Sequence, residues 1–171
     1  CSTATSAPSP PSRATIEYSA RPPSAGLFTL AHRPTNRRQS PGAGVANGVI
    51  YVFGGYNGGV TLSSMEAYTP GTNSWAPKAA MPSPRGSPAG VGVINGKLYV
   101  AGGTTGTSGD TNTLYAYTIS TNTWTTRAPM NTPRGCGASG VIAGQLYVYS
   151  GECNTSANSS FQRYNPASNT W

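Results

Sequence analysis

From about residue 42 onward, apolar and polar positions alternate with a period of two, as on strands with one buried face. The alternation breaks at Gly, Pro and Asn, and no stretch keeps a helical period. Short runs of small residues, "GAGVA" (42–46), "AGVGVI" (89–94) and "CGASGVI" (136–142), each precede a two-residue break: Asn47-Gly48, Asn95-Gly96 and Ala143-Gly144. Asn-Gly is the strongest short hairpin signal, because both positions accept positive φ. After each break comes a β-branched and aromatic run: "VIYVFGG", "KLYVAGG" and "QLYVYSG". Such residues suit a buried sheet, and the closing Gly pair lets one backbone approach another closely.

A polar loop then leads to a third strand that ends in Tyr, in "SSMEAYTP", "NTLYAYTI" and "SSFQRYNP". Seven residues after each Tyr stands a Trp, in the pairs Tyr68 and Trp75, Tyr117 and Trp124, Tyr164 and Trp171. The Trp is assigned to a fourth strand. Four strands per unit, repeated every 47–49 residues, is the sequence form of a propeller blade. The expected blades cover about 42–77, 89–126 and 137–171. Residues 1–36 form a Ser/Pro/Arg-rich lead whose first part cannot bury enough apolar surface to order itself. Tyr18 and Phe28 suggest a degenerate half-repeat over 16–36, and a linker explains that stretch equally well.

This pattern resembles the kelch repeat over residues 37–171. The resemblance rests on the Gly pairs (Gly54 and Gly55, Gly102 and Gly103, with Ser150 and Gly151 departing), on the Tyr–Trp spacing, and on the Pro-Arg that opens a new copy. It implies an all-β fold of about three four-stranded antiparallel blades, part of a six- or seven-bladed ring. Three blades do not close a ring, so the chain is expected to be a piece of a longer propeller. The alternative is that open blade faces are completed by self-association.

Composition shifts the functional reading only a little. Charged residues make up 9% of the chain, and Ser, Thr and Asn supply the polar surface, which suits an extracytoplasmic, secreted or cell-surface protein. The net charge is +7, yet the basic residues are not run together and no aromatic-basic platform for nucleic acid appears. No apolar run is long enough for a transmembrane helix. Cys1 ahead of a Ser/Pro-rich tether would fit an acylated bacterial lipoprotein, or it marks an arbitrary boundary.

Candidate site residues follow from the repeat. Arg37, Arg85 and Arg134 stand ahead of the small-residue strands. The resemblance implies that arginines there can face the mouth of the central channel and grip carboxylates through a planar fork; a structural role bonding loop carbonyls is the other reading. Tyr56, Asn57, Thr104, Thr105 and Glu152 follow the Gly pairs on the same rim, where loops commonly carry binding. The repeated Tyr and Trp are read as core. Cys136 lies near Cys153 across the third hairpin, opposite Gly151, and a disulfide there needs the loop to fold back. Two glycosylation triplets begin at Asn154 and Asn158.

No cofactor, metal site or catalytic set is expected. His32 is the only histidine, so the histidine pair of copper oxidases similar to galactose oxidase is missing. Four acids, Glu17, Glu66, Asp110 and Glu152, give no visible carboxylate pair for glycoside chemistry. The expected function is a non-catalytic module binding a protein or glycan. The alternatives are part of a kelch-type sugar oxidase or epimerase whose catalytic residues lie outside this chain, and a structural repeat domain without a specific ligand.

Overall fold

The computed structural model describes residues 37–106, 109–151 and 159–171. It holds three antiparallel sheets in sequence order. The first sheet pairs β1 (Gly42–Ala46), β2 (Val49–Phe53), β5 (Met65–Thr69) and β6 (Ser74–Lys78), in that order. A small separate hairpin, β3 (Tyr56–Asn57) with β4 (Val60–Thr61), rises from its β2–β5 connection. The second sheet runs β7 (Gly90–Ile94), β8 (Lys97–Ala101), β9 (Leu114–Thr118) and β10 (Thr123–Arg127). The third runs β11 (Ala138–Ile142), β12 (Gln145–Tyr149) and β13 (Phe161–Tyr164). A fourth strand through Trp171 is expected in the third sheet. Among the described residues only the Asn165–Thr170 bridge stands in its place, one step before Tyr164 and Trp171 would face each other as Tyr117 and Trp124 do.

All three inner hairpins turn as the sequence requires. Both turn residues have positive φ in each: Asn47 and Gly48, Asn95 and Gly96, Ala143 and Gly144. That is the mirror-image turn whose twist matches the flanking strands.

The sheets stack face to face through two apolar clusters. Tyr51, Phe53 and Met65 of the first sheet meet Leu98, Val100 and Tyr117 of the second. Tyr99, Ala101 and Leu114 of the second meet Leu146, Val148 and Tyr164 of the third. Alternation along each strand sends one set forward and the next set back, so β8 serves both clusters. The inner strands must be small because the stack is tightest there. A Cβ on Gly44 would lie 2.5 Å from the Leu98 side chain, and one on Gly90 would lie 2.5 Å from Val148.

Ala143 holds a left-handed conformation (φ 49°) without the local hydrogen bonding that eases Asn into it. Replacing Ala143 by Asn is expected to raise unfolding stability by about 0.5–1 kcal/mol, read as a higher urea midpoint at unchanged slope.

Candidate functional site

The repeat arginines are built into the stack. Arg134 is fully buried. Its Nη1 donates to the Ser150 and Ser160 carbonyls at 3.2 and 3.0 Å. Its Nη2 donates to Thr132 Oγ1 and Ser160 Oγ, both at 2.7 Å. In the first sheet the same pattern belongs to Arg38. Its Nη1 donates to the Gly54 and Ser64 carbonyls at 3.1 and 3.0 Å, and its Nη2 donates to Glu66 Oε2 at 2.6 Å in a buried ion pair. Arg85 is held differently. Its guanidinium lies 5.1 Å from the Tyr115 ring centre and donates to the Tyr115 hydroxyl at 3.3 Å. Desolvation pulls the Arg134 and Arg85 pKa values down from the ordinary guanidinium value, and the neighbouring Tyr115 raises that of Arg85.

Arg38, not Arg37, is therefore the first member of the series. The sequence spacing points to Arg37 because the second repeat carries one extra residue between its arginine and its inner strand. Arg38 to Gly42 and Arg134 to Ala138 are four apart, whereas Arg85 to Gly90 is five. The bridges Gln39–Tyr56 and Gly86–Thr104 fix the correspondence.

The arginine backbones join neighbouring sheets. Gly55 N–H donates to the Arg85 carbonyl at 2.7 Å, and Gly103 N–H to the Arg134 carbonyl at 2.8 Å. A Cβ on Gly54 or Gly102 would fall 2.1 or 2.2 Å from those same oxygens, so neither position tolerates a side chain. Tyr56 and Thr104, two expected rim contacts, also serve this seam. The Tyr56 hydroxyl hydrogen-bonds Thr104 Oγ1 across the two sheets, and Thr104 is buried.

A second seam runs along the outer edge, and its central residue escaped the sequence reading. Tyr68, Tyr117 and Tyr164 donate to the Oδ1 of Asn73, Asn122 and Asn169 at 2.7, 2.7 and 2.8 Å. Each Asn sits in the left-handed region. Asn122 Oδ1 also accepts the Ala79 N–H of the preceding sheet, while Trp124 Nε1 donates to the Ala79 carbonyl. Asn169 and Trp171 grip Ala128 in the same way. The signal was present in "TNSW", "TNTW" and "SNTW" as Asn two positions before every Trp.

Two cavities flank the β3–β4 hairpin on the rim. One, of about 370 Å³, is lined by Arg37, Arg38, Gln39, Tyr56, Asn57 and Gly58. Arg37 and Asn57 are exposed there. The other, of about 380 Å³, is lined by Thr61, Ser83, Pro84, Thr105 and neighbouring glycines. The structure thus brings Arg37, Tyr56 and Asn57 to one cavity and Thr105 to the next, while Arg85 and Arg134 direct their fork nitrogens at protein groups. Glu152 and Cys153 lie outside the described residues, as do His32 and Cys1. Cys136 is disulfide-bonded. Among the described residues no group of three or more His, Cys, Asp or Glu is placed to hold a metal ion.

Arg134→Met removes four hydrogen bonds made by a fully buried guanidinium and is expected to cost about 3 kcal/mol, whereas Arg37→Met stays within about 0.5 kcal/mol. Chemical denaturation of the two variants checks the assignment of the series. Asn122→Gly keeps the left-handed backbone easy yet removes the acceptor shared by Tyr117 and Ala79. It is expected to lose about 1–3 kcal/mol in the same measurement.

The family model described as the KLHDC2/KLHL20/DRC7 Kelch-repeats domain matches residues 26–171. No curated protein matches the chain. The pattern that recurs in sequence recurs again in register and in hydrogen bonds, and with this match the chain belongs to the kelch-repeat family, whose domains generally bind proteins.

Proposed function

We propose that the chain is a non-catalytic interaction module that presents its rim to a protein partner, with the cavity of Arg37, Gln39, Tyr56 and Asn57 at the centre of contact. The observation that carries this reading is the contrast between neighbouring arginines. Arg38 spends its fork on Gly54, Ser64 and Glu66, while exposed Arg37 lines an open polar cavity. The described residues hold eight Lys and Arg but only two acids, and one of those, Glu66, is paired with Arg38. An acidic segment of a partner therefore meets a complementary field. The hairpin beside the cavity is anchored by Tyr56 to the second sheet, so the contact residues start from a fixed geometry. The Cys136 disulfide supports residence in an oxidising compartment, as for a secreted or cell-surface protein.

Peptides selected by display on the wild-type chain test the reading. Enrichment of acidic sequences is expected, with affinity falling about tenfold in Arg37→Ala, the scale of one charge-assisted hydrogen bond. Affinity should also weaken with added salt. Selected peptides that bind Arg37→Ala as tightly as the wild type would overturn it.

A further inference from the structure

Three Asn-Gly pairs stand at exposed turns: Asn47-Gly48, Asn57-Gly58 and Asn95-Gly96. Such a pair can modify itself. The glycine nitrogen attacks the asparagine Cγ, ammonia leaves, and a succinimide ring closes. Water then opens the ring to aspartate or isoaspartate, so a neutral carboxamide becomes a carboxylate. Glycine permits the attack because it has no Cβ to crowd its nitrogen. A Cβ on Gly48, Gly58 or Gly96 would meet nothing within 4 Å. All three turns are therefore equally open, and the backbone is what separates them.

Asn47 and Asn95 hold a left-handed backbone, with φ 51° and 48°. In that conformation the following nitrogen stands nearly opposite Cβ across the Cα–C bond, out of reach of Cγ. Bringing it round means opening a ladder of five pairs, β1 with β2 or β7 with β8. Gly96 is tied further, since its carbonyl accepts the Ile119 N–H at 3.2 Å. Asn57 is placed otherwise. It ends β3 in strand conformation and is not among the residues with positive φ. The turn it leads into is closed by two pairs, Tyr56 with Thr61 and Asn57 with Val60. A short, exposed ladder opens at little cost, while the Tyr56 hydroxyl keeps the base of the hairpin on the second sheet. A neighbouring cation does not by itself single out Asn57, because Lys97 follows Gly96. The cavity does suit the product. Asn57 lines it with Arg37, Arg38, Gln39, Tyr56 and Gly58, and no acid is among them. The Arg38 charge is already matched by Glu66, which leaves exposed Arg37 to face a new carboxylate.

We propose that Asn57 is a self-modification site, at which loss of ammonia places a carboxylate in the rim cavity beside Arg37. The cavity then carries its own counter-charge. An acidic partner segment would lose the free cation it meets there, a consequence that alone rests on the binding reading above. The modification itself needs no partner.

Peptide mapping by mass spectrometry, resolving aspartate from isoaspartate, tests the site on the folded chain held in neutral buffer. Conversion at Asn57 is expected to run at least about fivefold ahead of Asn47 and Asn95, the factor that goes with about 1 kcal/mol of extra opening cost. The same chain in urea should react at similar rates at all three pairs, because only the shared Asn-Gly chemistry is then left. Asn47 or Asn95 leading in the folded chain overturns the proposal. So does an unconverted Asn57 under conditions where the urea-unfolded chain reacts, or a lead of Asn57 that is as large in urea. The pairing is read by NMR titration of Asn57→Asp. Its new carboxyl is expected to titrate below the ordinary carboxylate range and to return toward it when Arg37→Ala is added. Equal titration with and without Arg37→Ala overturns the pairing. Neither readout involves a partner, so failure here and failure of the binding reading are told apart.

Discussion

The meeting of an arginine carbonyl with the glycine pair of the preceding sheet sets the spacing of this structure. Gly55 N–H reaches the Arg85 oxygen, and Gly103 N–H reaches the Arg134 oxygen, with no room for a Cβ on the residue before either glycine. Backbone groups brought that close must be paired, because a buried unpaired carbonyl is costly. The Arg134 side chain turns inward and satisfies the Ser150 and Ser160 carbonyls, while that of Arg85 packs over the Tyr115 ring and donates to its hydroxyl. Arg134 therefore fixes both the inside of its own sheet and the distance to the preceding one.

That spacing decides what the rest of each strand can be. Inner strands are built of Gly, Ala and Val because facing side chains such as Leu98 and Val148 occupy the space a larger residue would need. In the strands that follow, Tyr, Phe, Met and Leu fill the space between sheets. At the outer edge the apolar packing is finished by a polar grip, in which Asn and Trp hold both the N–H and the carbonyl of one alanine in the preceding sheet.

The contact proposed for a partner lies where these duties stop. Arg38, Arg85, Arg134 and Thr104 bond within the stack, whereas Arg37 and Asn57 beside the β3–β4 hairpin are exposed. Sequence spacing could not separate Arg37 from Arg38, since one inserted residue in the second repeat shifts the count by one. The bonds of Arg38 to Gly54, Ser64 and Glu66 show which arginine points inward, and the bridges to Tyr56 and Thr104 align it with Arg85. The Asn–Trp grip was written plainly in three copies, yet its meaning depends on an alanine more than forty positions away, which no local pattern connects to it.

The sequence by itself determined the hairpin turns, the register of the inner hairpins and the repeating unit. Those follow from period-two alternation and positive-φ turn residues, which act over a few neighbours along the chain. The tertiary structure alone decided which polar side chains are consumed between sheets and which remain exposed. That choice depends on contacts between repeats some 48 residues apart, where a single inserted residue exchanges an inward arginine for an outward one.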